Sequence, residues 1–462
     1  MHKRISILLL AAAVSFVVGC GGSSTAPEDN TPPAFSKMLG SSGNGTNVSC
    51  VVAMSDGMSV VVGEANILNI TGSSTPLDGT GTSGVFFAGV KPDGGIGFRT
   101  FVPGSGDIPS IFAMARDANN NLLVTGHFRN NLTFGTTSLA HNALSDIFIA
   151  KLDATAHPVW VQGAGGTGND EGFDIAAASD GSVYVCGIVD GKVLIAGEDT
   201  GVVGKASGYL VKIEPGGGGA WRQTATPSGS ADCRGVAVSQ DGSVVVGGNY
   251  TGTEVGIGGV ILPNDGIENA FIARFDASGT PLGNIRLGGT GSIVVTAVTT
   301  IGDEVVAAGT LFGTADFDVN TSAGVVAAVG SDAFVARYTK TGQFRWAQTF
   351  GTTGDQVAAH LARISSGDIL VCGSFEKTFS AGSTLLSPIG SFDIFVVRLS
   401  GSGAVLAVKR VGGSGEEQVA DIASSNNALI VAGTSSSAQL TFPDGTSRAP
   451  FGSTDGFLYR QP

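Results

Sequence analysis

Charge is scarce in this chain, and so are the residues that most often carry chemistry. Asp, Glu, Lys and Arg make up 14% of 462 residues, with five cysteines, five histidines and three tryptophans. No Cys-x2-Cys, His-x3-His, Gly-x-Ser-x-Gly or Gly-Lys-Ser phosphate loop occurs, so the common zinc, esterase and nucleotide signatures are missing. Basic residues are the scarcer sign. There are 25 against 38 acidic residues, a formal charge of −13. So acidic a surface repels phosphate backbones and makes nucleic acid a poor partner. Low charge with 42% hydrophobic residues is far from the composition of disordered chains. Glycine is abundant, at 72 residues, but shows no three-residue period, which excludes collagen. Many short strands joined by tight turns account for it.

What is present is a repeat. Phe86, Phe148, Tyr209, Phe271, Phe334, Phe395 and Phe457 recur at a nearly constant interval. A fixed period overrides the domain count that length alone suggests and indicates an array, solenoid or propeller. Unit three shows the grammar. Asp174–Ser179 is a short apolar run, Asp180-Gly181 a turn, and Ser182–Gly187 a second run. Two β-prone runs split by Asp-Gly predict a hairpin with a type I′ turn. The turn recurs at Asp56-Gly57 and Asp241-Gly242, and as Asn119-Asn120 and Asn426-Asn427. We name these strands A and B. Strand B repeats as Leu122–Gly126, Val244–Gly248, Val305–Gly309, Ile369–Gly373 and Leu429–Gly433, β-branched runs suited to burial on both faces.

A connector of about 15 residues leads to strand C, a spacing longer than a simple hairpin loop. Strand C carries the repeated aromatic and, a little further on, a Lys or Arg expected to snorkel along a surface. Strand D is anchored by Phe98, Trp160, Trp221 and Trp346, each at the same remove from the strand C aromatic, while Gly283 breaks the rule in unit four. Strand A holds small residues such as Ala176, Ala237, Ala297 and Ala358, and strands C and D hold the large ones. Wedge-shaped sheets around an axis require that taper.

The stretch from Met1 to Cys20 reads as an export signal. Lys3 and Arg4 precede an apolar run from Ile5 to Val18, too short to span a bilayer comfortably. Its end, Val17-Val18-Gly19-Cys20, resembles the lipobox of bacterial lipoproteins. That resemblance implies lipidation at Cys20 after removal of residues 1–19, and Gly21 rather than Asp implies the outer membrane, facing the periplasm or the exterior. Cleavage would leave 23 basic against 38 acidic groups. Residues 20–34 would form a lipidated, flexible tether with about 20 Å of reach. Cys50, Cys186, Cys233 and Cys372 remain. Cys186 and Cys372, like Cys50 and Cys233, sit three units apart, too far for disulfides that need Cα atoms within about 7 Å. Buried free thiols are expected.

Seven such units over residues 35–462 predict an all-β fold: a seven-bladed β-propeller of four-stranded antiparallel blades. Gly165-Gly166-Thr167-Gly168, Gly288–Gly291, Gly412–Gly415, the Val-Tyr-Val-Cys-Gly strand and the Asp-Ile-Phe-Ile-Ala-Lys-Leu-Asp strand resemble the bacterial β-propeller repeat family over residues 35 to 461. The family shares a fold and no single activity. The chain opens on a D-type strand, Phe35–Leu39, and closes on a C-type strand, Gly456–Arg460. Antiparallel pairing of the two would complete the last blade and remove two open edges.

Candidate chemistry lies in the D-to-A loops, which carry Asn44, Asp107, Asp170-Glu171, Asp232, Asp355 and Glu416-Glu417, with Ser292 in unit five. A ring of carboxylates could bind cations or a basic ligand, or each could accept backbone N–H groups in its own turn. Repetition once per blade favours the second. Asp316, Asp318 and Asn320 resemble the start of a calcium loop without its Gly and distant Glu, so an Asx-rich turn is the other reading. His127, His141, His157 and His360 read as turn or surface residues. Adjacent acids such as Glu416-Glu417 and Asp170-Glu171 face opposite sides of a strand, which weakens a paired-acid mechanism. The sequence therefore reads as a monomeric, non-catalytic, lipid-anchored envelope module, held to the membrane through its N-terminal lipid and binding a protein or glycan. It implies no catalytic residue, metal or cofactor. The alternative is a glycan hydrolase or lyase with its site at the channel mouth. The connector Phe312–Asp332, the longest and richest in acids and aromatics, is where function would depart from the repeat.

Overall fold

The computed structural model describes residues 32–40, 45–74, 76–78, 83–104, 108–202, 205–319, 321–352, 354–425 and 427–462. The leader, Cys20 and most of the tether lie outside these residues, as do Asn44, Asp107 and Asn320. The chain divides at Pro32/Pro33, and the fold below belongs to the C-terminal unit.

The described residues are β-structure, with a single 3-10 turn at Ser322–Gly324. A repeated antiparallel sheet of order A-B-C-D builds them. It appears as Asn47–Ala53, Ser59–Ala65, Gly84–Val90 and Ile96–Pro103, then as Ser110–Arg116, Leu122–Phe128, Asp146–Leu152 and Pro158–Ala164. The next A strands are Glu171–Ala177, Ala231–Val238, Ser292–Ile301, Gly354–Arg363 and Glu417–Ser425. Each A strand stands against the A strand of the following unit, and Glu417–Ser425 stands against Asn47–Ala53. Four-stranded sheets stacked through their first strands are the architecture of a β-propeller. Phe35–Gly40 pairs antiparallel with Asp455–Gln461, Phe35 opposite Arg460 and Leu39 opposite Gly456.

Burial follows the sequence pattern. The seven strand C aromatics are fully inaccessible. Cys50, Cys186, Cys233 and Cys372 are buried and free, and burial pushes every one of these thiols up. The turns differ from expectation. Gly181 N–H donates to the Ala178 carbonyl, and Ala178 N–H to the Ser182 carbonyl. Gly57, Gly181 and Gly242 have positive φ, while Asp56, Asp180 and Asp241 do not. This is a three-residue loop with one left-handed position rather than a two-residue type I′ turn with two. The Asp side chain is used instead as a cap, as when Asp180 accepts from Ser182 N–H at 2.9 Å.

Most strand C cations also depart from expectation, because they do not snorkel to water, although Arg398 stays partly exposed. Lys151, Lys212, Arg274 and Arg460 are buried. Lys151 pairs with Asp117 at 2.8 Å, Arg274 with Asp241 at 2.7 Å and Arg398 with Asp368 at 2.6 Å, each acid lying beside its own A-B turn. The same cations reach forward: Lys212 donates to the Ala277 carbonyl and Arg274 to the Lys340 carbonyl of the next unit's C-D turn. The tryptophans do likewise, with Trp160, Trp221 and Trp346 donating to Pro215, Ala277 and Gly401 carbonyls at 3.0–3.2 Å. At the opposite end, parallel bridges join Ser145 to Asn169, Glu268 to Ser292 and Phe392 to Glu416. Neighbouring units are thus laced together repeatedly, at one end or the other and in places at both.

Two further features were not read from the sequence. Most B-to-C connectors fold into small ribbons, such as Leu132–Phe134 with Thr137–Leu139 and Phe379–Ala381 with Thr384–Leu386. Glycine at the end of strand D admits the acid that opens strand C: a Cβ on Gly165 would lie 1.7 Å from Asp146 Oδ1, and one on Gly40 2.2 Å from Asp455 Oδ1. That steric demand, in addition to turn conformation, explains the glycine-rich lead.

Leu39 is fully buried in the first strand. We expect Leu39→Ala to lower the unfolding free energy by about 2–5 kcal/mol in urea titration; a loss under about 0.5 kcal/mol, the usual effect of a surface change, would show that this strand adds little.

Candidate functional site

The ends of strands B and the starts of strands A share one end of each sheet, since Ser110 pairs with His127 and Glu171 with Ile188. The D-to-A loops enter here and the B-to-C connectors leave. Every A strand carries a bulge close to this end. The residue skipped in the ladder is Ser49, Phe112, Phe173, Arg234, Thr296, Ala359 and Ala420 in successive units. A bulge re-aims one side chain and bends the strand. Four units place a small residue there. Three consecutive units place Phe112, Phe173 and Arg234.

These three form one surface. The Phe112 and Phe173 ring centroids are 5.8 Å apart, and Phe112 lies 5.0 Å from the His127 ring. The Arg234 guanidinium carbon stands 4.3 Å over the Phe173 ring, a favourable cation–π distance. Arg234 Nε and Nη2 both donate to Asp232 Oδ2 at 2.7 Å. His127 Nδ1 lies 3.7 Å from Glu171 Oε1. Phe112 remains 37% exposed, so its ring is only partly used by the packing around it. Glu268 closes the edge. Burial pushes its carboxyl up, and Asp232 adds to the shift.

At the same end, a cavity of about 440 Å³ is lined by Asn47, Glu64, Asn66, Glu416 and Gln418 of the first and last units and reaches Ile108 of the second. Asp174 and Asp421 stand where neighbouring A strands meet. Asp174 accepts from Val236 N–H at 2.7 Å, and Asp421 from Val51 N–H at 3.0 Å, each crossing to the next unit. Burial raises both carboxyls to about 7. His360 lies 3.5 Å from Asp421, and burial lowers its imidazole to about 4.

The loop acids separate into two groups. Asp170 is fully buried and accepts from Gly166 N–H and Asp190 N–H; burial raises it to about 6. Glu417 is fully buried and accepts from Gly413 N–H, Ser435 and Ser437. Glu416 and Asp355 are not buried. Adjacent acids therefore face opposite sides, and the inner member acts as a local cap. Asp316 Oδ1 accepts from Asp318 N–H and Asp318 Oδ2 from the Thr321 hydroxyl, the bonds of an Asx turn. The connector Phe312–Asp332 is a long hairpin whose Phe317 is buried 4.9 Å from Phe334; it continues the core of its own sheet. His127 is buried at a strand end and not a surface residue, whereas His157 is exposed. The bulge residues went unnoticed in the sequence because Phe112 and Phe173 look like two more core aromatics. Aligning the repeats by their period would have shown them breaking a column of small residues.

No known family model matches the chain. The regulatory protein FlaEY of Caulobacter vibrioides is 26% identical over 308 residues, covering 61% of this chain and 31% of that protein. The chain thus spans under a third of the length of this relative. Among solved structures, the endosialidase of phage phi92 is 9% identical with a TM-score of 0.41, over 92% of this chain and 68% of that one. A catalytically inactive virginiamycin B lyase from Staphylococcus aureus, solved with quinupristin, is 10% identical with a TM-score of 0.37, over 92% and 99%. Likenesses this distant assign no activity.

The raised carboxyls generate a pH prediction. A buried acid whose folded pKa is about 7, against about 3.9 unfolded, contributes most below about pH 4 and loses that contribution as pH rises through 7. A fifth of the Asp421 side chain still meets solvent, which screens part of the penalty. Asp421→Asn should therefore match the parent near pH 3, gain on it progressively between about pH 4 and 7, and exceed it by about 1–2 kcal/mol at pH 8 in urea titration. A difference independent of pH would contradict the buried-acid account.

Proposed function

We propose that the chain is a lipid-anchored binding module of the bacterial cell envelope: a closed ring of seven blades, tethered to the outer membrane through Cys20, whose mouth takes a protein or glycan without chemically changing it. The contact of the first A strand with the last, together with the pairing of Phe35–Gly40 to Asp455–Gln461, supports closure. The charged start, short apolar run and Gly19-Cys20 junction support export and anchoring. The observation that carries the binding reading is the run of Phe112, Phe173 and Arg234 on three successive bulges whose counterparts are small. A ring held together by repeated contacts has no need of them.

The hydrolase reading draws less support. Asp170 and Glu417 are buried and spend their oxygens on loop N–H and hydroxyl groups, so neither is free to meet a glycosidic oxygen.

Two measurements test the proposal. Cys20→Ala should move the protein from the membrane fraction to the soluble fraction of the producing cell; retention in the membrane would contradict lipid anchoring. Immobilised protein should hold an envelope glycan or protein at unchanged mass. Cleavage products that disappear in Glu416→Gln would favour the enzyme instead.

A further inference from the structure

We infer that the gap beside Gly283 is a docking slot for a tryptophan side chain of a partner polypeptide. It lies between strand D of unit four and the C-D turn of unit five, at the end away from the bulge wall. It goes beyond the binding reading above, and its failure would leave that reading as it stands.

The repeat itself says what fits there. Strand D carries Trp160, Trp221 and Trp346 opposite the strand C cation in units two, three and five, and Phe98 at the same place in unit one. Trp221 shows the fit. A Cβ on Gly279 of the next C-D turn would lie 2.7 Å from its Cδ2, and the Phe275 ring is 6.3 Å away. Its indole N–H donates to the Ala277 carbonyl, which also accepts from Lys212. Unit four keeps every part of this setting except the indole. Arg274 stands opposite Gly283 and donates to the Lys340 carbonyl. Gly342 has the positive φ of Gly279, and Tyr338 takes the place of Phe275 at the end of strand C. Gly283 has no side chain to give the Lys340 carbonyl the second donor that its two lone pairs admit.

The vacancy is open. Nothing lies within 4 Å of a Cβ position on Gly283, and a glycine inside a strand often marks close approach by another group. A cavity of about 60 Å³ remains, lined by Arg274, Gly283, Ile285, Val305 and Lys340 among others, several times the roughly 10–15 Å³ that one water needs. Ala407 breaks the same column in unit six. There Lys409, two residues on, reaches across to Gln461, so that gap is bridged by the protein's own side chain, whereas unit four has Ile285 at the matching position.

Two observations favour a polypeptide over a free ring. A second cavity of about 210 Å³ shares Asn284, Ile285 and Gly342 with the first and continues toward Pro263 and Phe317, which gives the residues beside an anchoring ring a place to lie. Val260 and Ile261, 47% and 65% exposed, stand on the ribbon whose Ile257 carbonyl accepts from Asn284. A tryptophan seated in a pocket with apolar neighbours is a frequent anchor of protein interfaces.

The test uses the full-length protein and fluorine NMR titration. The probes are a Ser-Gly-Leu-Trp-Leu-Gly-Ser peptide carrying fluorotryptophan, the same peptide with fluorophenylalanine instead, and free fluoroindole. Ile285→Trp fills the slot from the same face of strand D, and Thr341→Trp covers it from an exposed turn position, which leaves the core untouched. Val159→Ser, at the exposed neighbour of Trp160, is the control beside a slot already filled. Thermal melts establish that each variant is folded. The inference expects the tryptophan peptide to bind, about tenfold or more weakly in Ile285→Trp and in Thr341→Trp, and equally in Val159→Ser. The phenylalanine peptide, which has no donor for the Lys340 carbonyl, should bind about fivefold or more weakly. No binding of the tryptophan peptide, or binding indifferent to both filling variants, would overturn the slot. Equal binding of the phenylalanine peptide would overturn the indole assignment. Fluoroindole bound as tightly as the peptide would overturn the choice of a polypeptide.

Discussion

The interaction on which the rest depends is the bond from each four-stranded sheet to the one that follows. Different pairs make it at one end, at the other, or across the middle. At one end, tryptophan indoles and strand C cations donate to carbonyls in the next unit's C-D turn. At the other, the residue before strand C bridges to the chain entering the next strand A. In between, Asp174 and Asp421 bind an N–H of the neighbouring A strand. Bonds of one kind join residues separated by a similar stretch of chain, so an insertion within a unit would break several at once. This is the physical reason the interval between successive strand C aromatics is held so nearly constant. A buried cation such as Lys151 is tolerable because Asp117 and its turn surround it. Burial works against the Asp117 charge, but Asn121 and Lys151 outweigh it and hold the carboxyl below its ordinary range.

Much of this was legible from the sequence. The aromatic period located strand C, the β-branched runs located strand B, and the small residues located strand A, because each pattern reflects how much room a wedge-shaped sheet leaves. The register of Phe35 opposite Arg460 follows from reading the two chain ends as complementary. What remained hidden depends on distance between units rather than on spacing within one. A lysine shortly after an aromatic looks like a snorkelling side chain until the next unit supplies a carbonyl. Asp-Gly between two strands suits two turn types, and only the backbone distinguishes one positive φ from two. The glycines after strand D served in the sequence only as a mark of the repeat, whereas Gly165 and Gly40 make room for Asp146 and Asp455.

The candidate site was partly visible for the same reason. The loop acids repeat once per unit, which marked them as structural, and Asp170 and Glu417 are indeed occupied by backbone and hydroxyl donors. The wall of Phe112, Phe173 and Arg234 does not repeat. A framework that satisfies its own hydrogen bonds through repetition leaves the exceptions free to serve something else. They fall on adjacent blades at one end, at positions where the backbone is already bent by a bulge. Local symmetry breaking, rather than an unusual residue type, is the signal that separates this surface from the rest.

The most direct test of the proposed closure into a ring is a distance between the first and last units. Gly57 and Ser425 come together in the structure, where a Cβ on Gly57 would lie 3.6 Å from Ser425 Oγ. Spin labels placed at Asp56 and Ser424 in a background without native thiols should report a narrow, short distance by pulsed or continuous-wave resonance, near the roughly 10 Å spacing of packed sheets. A broad distribution centred several times farther out would contradict the closed arrangement of interlocked units.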